Sequence, residues 1–163
     1  GEGVEVKQGE GGELAVKGPG VTKGYLNLPD ATKKTIQDGW LHTGDIARMD
    51  EEGYFYIVDR KKDLIIRGGY NIYPREIEEI LYQIPEISEV AVYGIPHADL
   101  GEEIAAVVVL KEDAQISWEM IQAFVKERVA PYKYPRVVNI VSDPLPKSGS
   151  GKILKKEIRK IYV

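Results

Sequence analysis

The sequence contains no cysteine, which excludes disulfides, thiolate metal sites and a cysteine nucleophile and is compatible with a reducing compartment. Histidine is scarce: His42 and His97 are too few for a zinc site of the usual kind unless carboxylates complete it, and no metal ligands are assigned. No apolar run approaches the ~20 residues of a membrane-spanning helix. The opening GEGVEVKQGEGGEL has neither the charge pattern nor the apolar core of a signal peptide. The expectation is therefore a cytoplasmic protein with no integral membrane segment. An excess of positive charge is missing as well. With 22 Lys+Arg against 26 Asp+Glu, the net charge is -4, which argues against a general nucleic-acid binder and confines any basic site to a local patch.

What is present is enough for a folded core: 163 residues, 43% of them hydrophobic, suit one ordinary domain or two small ones. Up to about residue 60 the chain is rich in glycine and in short alternating stretches, GELAVKG and GYFYIVD, with MDEEG as a turn before the second; this pattern predicts strands and hairpins. After the charge cluster DRKKD, strand and helix signals alternate. PREIEEILYQI places Pro74 in a first helical turn, acidic residues near the start, and Ile77, Ile80, Leu81 and Ile84 at helical spacing. EVAVYGI and IAAVVVL predict strands, the second apolar enough for the middle of a sheet. Ser117 caps a further helix, with Ile116 and Ile121 placed for a hydrophobic staple. APYKYP ends that helix, RVVNIV is another strand, and Ile153 to Ile161 forms a terminal helix with a basic face. The fold class expected is α+β: a short sheet flanked by helices, preceded by the β-strands of an incomplete barrel. The expected domains are residues 1–61 and 62–163.

Three segments invite a chemical reading. In GWLHTGDIA, Asp45 is either a plain turn residue or a carboxylate that accepts two sugar hydroxyls. In DRKKDLIIRGGYNIYPREIE the basic run suits a solvated face, and Gly68-Gly69 suits either a turn or bulge, or a place where another group approaches the backbone closely. In PKSGSGKILKKE, Lys152 follows a Gly/Ser stretch. A phosphate-cradling loop would need a glycine where Pro146 stands and a hydroxyl where Ile153 stands, so that motif is excluded. Lys152 is then either a solvated connector residue or an ammonium poised to neutralise phosphoryl or carboxylate oxygens.

In their order and spacing, GELAVKGPGVTKGYLN, GWLHTGDIA, DRKKDLIIRGGYNIYPREIE, APYKYPR and LPKSGSGKILKKEIRK resemble successive core motifs of the acyl-adenylate-forming enzymes, which include acyl-CoA synthetases, luciferases and peptide-synthetase adenylation domains. That family's Ser/Thr/Gly-rich phosphate loop and acyl-pocket motifs have no counterpart here. The resemblance therefore implies the C-terminal part of an AMP-forming acyl-CoA synthetase: the end of a large domain and a small mobile domain, with the rest of the large domain as the missing partner. It implies adenylation of a carboxylic acid, of fatty type, by ATP and Mg2+, the Mg2+ ligands lying outside this chain, and then thioester formation with coenzyme A. It assigns Asp45 to the ribose hydroxyls with Arg60 beside it, Lys152 to catalysis of adenylation, and Lys62 to the hinge. Gly68, Gly69 and Tyr70 are assigned to the pantetheine tunnel and Lys133 to coenzyme A phosphate.

Some positions depart from the pattern. Asn71 and Leu100 stand where some relatives carry arginines that bind the nucleotide end of coenzyme A. Ile66 stands where luciferases have a lysine, which argues against oxidative light emission. GGYNIYPREIE has the acyl-CoA synthetase form rather than the peptide-synthetase form. Three alternatives stay open: a domain that loads a carrier-protein arm, a standalone regulatory module, and a nucleotide-binding module that uses Lys155, Lys156 and Arg159. His42 and His97 are expected to be structural or surface residues, not bases.

Overall fold

A computed structural model describes residues 5–163. The chain divides into two compact units, one ending at Lys62 and the other running Asp63–Val163.

The first unit is built on a long strand. β1 (Gly11–Val16) pairs antiparallel with β3 (Trp40–Met49), which also pairs with the two-residue β2 (Ile36–Gln37) and with β4 (Phe55–Arg60). The MDEEG turn expected between β3 and β4 is closed by the Asp50 carboxylate, which accepts the Glu52 and Tyr54 N–H groups. A short helix, α1 (Pro29–Thr35), was not foreseen among these strands. It has Pro29 at its first position and Asp30 in its first turn but buries no residue, so it has no apolar face for periodicity to reveal. Little of this unit is buried. Ile46 and Ala47 are its buried apolar residues, whereas Tyr54, Phe55, Tyr56 and Ile57 lie 46–63% exposed in a row. Alternating along β4, Phe55, Tyr56 and Ile57 expose aromatic and apolar side chains on both faces of the strand.

The second unit has a conventional core. β5 (Ile65–Arg67) and β6 (Tyr70–Ile72) form a hairpin, followed by α2 (Pro74–Leu81), β7 (Ile87–His97), β8 (Gly101–Leu110), α3 (Trp118–Lys126), β9 (Val137–Val141) and α4 (Lys155–Tyr162). The sheet runs β6-β5-β8-β7, with β9 parallel to β8 and the other pairs antiparallel. Alternation along the strands sorts the core into two layers. Val90, Val92, Ile104, Ala106 and Val108 pack with Ile77 and Leu81 of α2 and Ile121 and Val125 of α3. Ala91, Tyr93, Ala105, Val107 and Val109 pack with Leu145 and Ile158 of α4. The expected short sheet flanked by helices is therefore present, and β8 is its central strand, buried from Glu103 to Val109. Ser117 Oγ accepts the Met120 N–H, which is the expected cap of α3.

Candidate functional site

Asp45 sits on β3 directly across from Arg60 on β4. Arg60 Nε and Asp45 Oδ1 form an ion pair at 2.9 Å, with the two side chains 52% and 26% exposed. The local geometry follows from GWLHTGDIA. Thr43 Oγ1 donates to the Leu14 carbonyl at 2.8 Å and accepts the Asp45 N–H at 3.1 Å, while Gly44 supplies a φ of 73°. Asp45 is thus a strand residue held from both sides, and its second oxygen is available to a hydroxyl donor. Beside it, Glu13 accepts from Lys61 Nζ at 2.7 Å and lies 3.2 Å from His42 Nδ1. Burial alone would raise the Glu13 carboxyl, but the bonds from Lys61 and His42 outweigh it and hold the group below its ordinary value. His42 is thereby tied to an ion pair. Lys62 follows in a single 3-10 turn, Lys61–Asp63.

Gly68 and Gly69 are the two loop residues of the β5–β6 hairpin, between paired Arg67 and Tyr70. Their φ values are 56° and 82°, the left-handed geometry of a two-residue hairpin turn, where glycine carries no steric cost. The sequence left turn and close approach as alternatives, and the turn is what the backbone forms. A methyl group at Gly69 would meet nothing within 4 Å, so the outer side of this turn is open space.

The turn is fastened to the β7–β8 end of the sheet. Gly68 N–H donates to the Leu100 carbonyl at 2.9 Å, Ile66 N–H to Glu102 Oε2 at 2.7 Å, and Arg67 forks onto Glu103 at 2.6 and 2.9 Å. His97 Nδ1 accepts the Asp99 and Leu100 N–H groups at 3.2 and 3.3 Å, so this histidine closes a turn, in line with the structural role expected of it. Glu103 is 8% exposed. Burial pushes its carboxyl up, but the Arg67 fork and the Ile104 N–H outweigh this and hold it below its ordinary value.

A carboxyl depressed in the folded state stabilises above its unfolded pKa, near 4.5, and loses that contribution as pH falls through the folded value. Replacing Glu103 by Gln is expected to lower unfolding free energy by about 1–3 kcal/mol at pH 7. The variant should also lose less stability than the parent chain when urea titrations are repeated at progressively lower pH. Equal losses in both proteins would contradict the assignment.

Tyr70 stacks on Tyr132, ring centroids 4.5 Å apart and planes at 25°. The adjacent Lys133 is not a free cation: both Glu76 oxygens accept from its Nζ at 2.8 Å. The structure therefore brings Gly68, Gly69, Tyr70 and Lys133 into one neighbourhood through the hairpin and the APYKYPR loop, with Lys133 neutralised by α2.

Lys152 lies elsewhere. Lys147 and Ile153 form an antiparallel bridge, and Ser148–Lys152 closes on itself through Ser148 N–H to Lys152 O at 2.8 Å, Gly151 N–H to Ser148 O at 2.9 Å and Lys152 N–H to Ser148 Oγ at 3.2 Å. Lys152 is exposed, and among the described residues it forms no ion pair. The base of its loop is tied to Glu89 through Lys147, while the Gly-Gly turn is tied to the far end of the same hairpin, where Arg67 pairs with Gly101 and Gly101 with His97. From Glu89 to His97 is eight residues along β7, roughly 26 Å at strand spacing.

The basic helix α4 is less free than its sequence implies. Lys155 pairs with Glu78 at 2.7 Å, both about 15% exposed, and Lys160 pairs with Glu157. This engages one of the three cations, Lys155, that the nucleotide-binding alternative uses; among the described residues Lys156 and Arg159 form no ion pair. Among the described residues there is no group of three or more His, Cys, Asp and Glu that could hold a metal ion, and no helix is long and apolar enough to cross a membrane.

Residues 76–152 match the AMP-binding enzyme C-terminal domain, and the chain belongs to that family. It is 52% identical over 149 residues to a long-chain-fatty-acid–CoA ligase of Bacillus subtilis, covering 91% of this chain and 26% of that protein. Among solved structures it resembles ATP-bound MatB from Rhodopseudomonas palustris, with a TM-score of 0.88 and 41% identity over 96% of this chain and 31% of that one. It also resembles the o-succinylbenzoate-CoA synthetase MenE from Bacillus subtilis in complex with its acyl-adenylate intermediate, with a TM-score of 0.87 and 39% identity over 94% of this chain and 31% of that one. The chain thus spans about a third or less of the length of these relatives.

The pairings of several acidic residues gave no signal in the sequence. Glu89, Glu76 and Glu78 act on Lys147, Lys133 and Lys155, partners 57 to 77 positions away. Glu76 and Glu78 register in the sequence only as acidic residues at the start of a helix.

Proposed function

We propose that this chain is the C-terminal part of an AMP-forming acyl-CoA ligase, acting with a large domain that precedes it. A carboxylate oxygen of the acid attacks the α-phosphorus of ATP, and pyrophosphate leaves. The thiol sulfur of coenzyme A then attacks the acyl carbon, AMP leaves, and the thiol proton is released. The fatty-acid ligase relative supports a fatty acid as substrate.

The observation that carries this reading is Lys152: an unpaired ammonium presented by a short, internally bonded loop, whose flanking Lys147 and Lys155 are each paired with a carboxylate. Such a group stabilises charge spread over the reacting phosphoryl and carboxylate oxygens without changing its protonation. Asp45 takes the ribose hydroxyls, with Arg60 holding its other oxygen. Gly68, Gly69 and Tyr70 receive the pantetheine arm, and Lys133 takes a coenzyme A phosphate once released from Glu76. The separation of the Lys152 anchor from the Gly-Gly turn supports a domain that presents one end for adenylation and the other for thioester formation, pivoting at Lys62. Mg2+ accompanies ATP, with its ligands assigned to the large domain. The exposed row Tyr54–Ile57 is assigned to packing within that domain.

The test is product analysis. The full-length enzyme that carries this chain, given ATP, a long-chain fatty acid and coenzyme A, is expected to release AMP and pyrophosphate and to form acyl-CoA, whereas the 163-residue chain alone gives no turnover. Release of ADP, or acyl-CoA formation by the isolated chain, would contradict the proposal.

A further inference from the structure

Lys152 is useful only if its loop is held still, and Gly and Ser residues do little to hold it. What fixes the loop is a carboxylate on the edge strand of the sheet. Glu89 lies near the start of β7, on the face that carries Ala91 and Tyr93 toward Leu145 and α4. Both of its oxygens are used. Oε1 accepts from Lys147 Nζ at 2.6 Å, and Oε2 accepts the Leu145 N–H at 3.0 Å. Leu145 is itself 3% exposed, locked in the core beneath α4. One side chain therefore grips the incoming strand of the loop at two points, Leu145 and Lys147, the second a member of the Lys147–Ile153 bridge. The outgoing strand is tied to the incoming one by the Leu154 N–H, which donates to Pro146 O at 2.8 Å, and is held independently by Lys155, paired with Glu78, whose carboxylate also accepts the Val92 N–H.

The Glu89–Lys147 pair is 20% and 39% exposed, and its bonds draw the Glu89 carboxyl below its ordinary value against the effect of burial. These features exceed what an ordinary surface ion pair provides, because one partner is bonded to core backbone and the other to the loop.

We infer that Glu89 is a positioning residue for the adenylation half-reaction, acting on Lys152 through Leu145 and Lys147 and touching no substrate; this rests on the reading of Lys152 given above. It has no such effect on thioester formation, because the Gly68-Gly69 turn is fastened to the opposite end of the β7–β8 hairpin.

The experiment uses the full-length enzyme. Carboxylate-dependent ATP–pyrophosphate exchange and thioester formation from supplied acyl-AMP are measured for Glu89→Ala, Glu89→Gln and Lys152→Ala. A catalytic group displaced by about an ångström loses up to ~100-fold in rate. Glu89→Ala is accordingly expected to lower the kcat of exchange by roughly 10–100-fold, with KM for ATP and the thioester rate within about twofold of the parent enzyme. Glu89→Gln keeps an acceptor for the Leu145 N–H and should fall between the two. Partial recovery of exchange in the charge-swapped pair Glu89→Lys with Lys147→Glu would support the same account. Equal loss of both half-reactions overturns the inference, because Glu89 would then be a general structural residue. Exchange lost in Lys152→Ala but intact in Glu89→Ala overturns the inference alone. Exchange unaffected by Lys152→Ala overturns the adenylation reading and this inference with it.

Discussion

Replacing Lys152 by alanine in the full-length enzyme is expected to lower carboxylate-dependent ATP–pyrophosphate exchange about 10²–10³-fold, the usual cost of removing one preorganised electrostatic donor from a reacting centre. The loss should fall on kcat, because an interaction that strengthens as charge develops stabilises the transition state more than bound substrate. Folding should be unaffected. The side chain is exposed and unpaired, and the loop's bonds run through the Ser148 hydroxyl and backbone groups that alanine retains. Arginine should not substitute fully at this position: its planar fork is larger than a compact ammonium, and its charge lies farther from Cα. A Lys152→Arg variant as active as the parent enzyme would weaken the case for a point charge placed by the loop.

The second large effect is expected at Asp45. In Asp45→Ala Arg60 loses its partner across the sheet, and on the proposed reading the ribose hydroxyls lose their acceptor. Hydrogen bonds to a charged group contribute about 1.5–3 kcal/mol each, so kcat/KM for ATP is expected to fall roughly 10–150-fold, largely through KM, at 1.4 kcal/mol per tenfold change. Asp45→Asn keeps one acceptor oxygen and should recover part of the loss. Arg60→Ala should cost less, because it removes a half-exposed orienting group and leaves the carboxylate in place. Steady-state kinetics with ATP as the varied substrate separate these outcomes, and an unchanged KM in Asp45→Ala would return Asp45 to a purely structural role on β3.

Elements whose apolar faces repeat were legible in the sequence. Ile77 and Leu81 announce α2 and do bury one face, whereas Ile84, at the same spacing, is buried just beyond the helix end; the unbroken IAAVVVL run is the central strand buried on both sides. Ser117 was readable because capping is local chemistry. What escaped has the opposite character. α1 has no buried face, and β5 and β6 are three residues each, too short for alternation to show, so Gly68-Gly69 left turn and close approach undecided. The anchoring of the two functional ends was also hidden. Glu89 to Lys147 and Glu76 to Lys133 join residues 58 and 57 positions apart, and a single sequence carries no sign of which acid meets which base. Lys133 is an example: nothing in APYKYPR marks Glu76 as the partner of its ammonium.

The central claim is that one small domain serves two half-reactions with two different ends, and a paired measurement tests it most directly. Exchange and thioester formation are assayed in parallel for Lys152→Ala and Gly69→Asn. Asparagine tolerates the left-handed backbone of the turn, and its side chain projects into space that is open at Gly69. The account predicts opposite outcomes: Lys152→Ala loses exchange and keeps thioester formation, whereas Gly69→Asn keeps exchange and loses thioester formation by at least about tenfold, the effect of a reacting group displaced in its tunnel. Loss of the same half-reaction in both variants would contradict it.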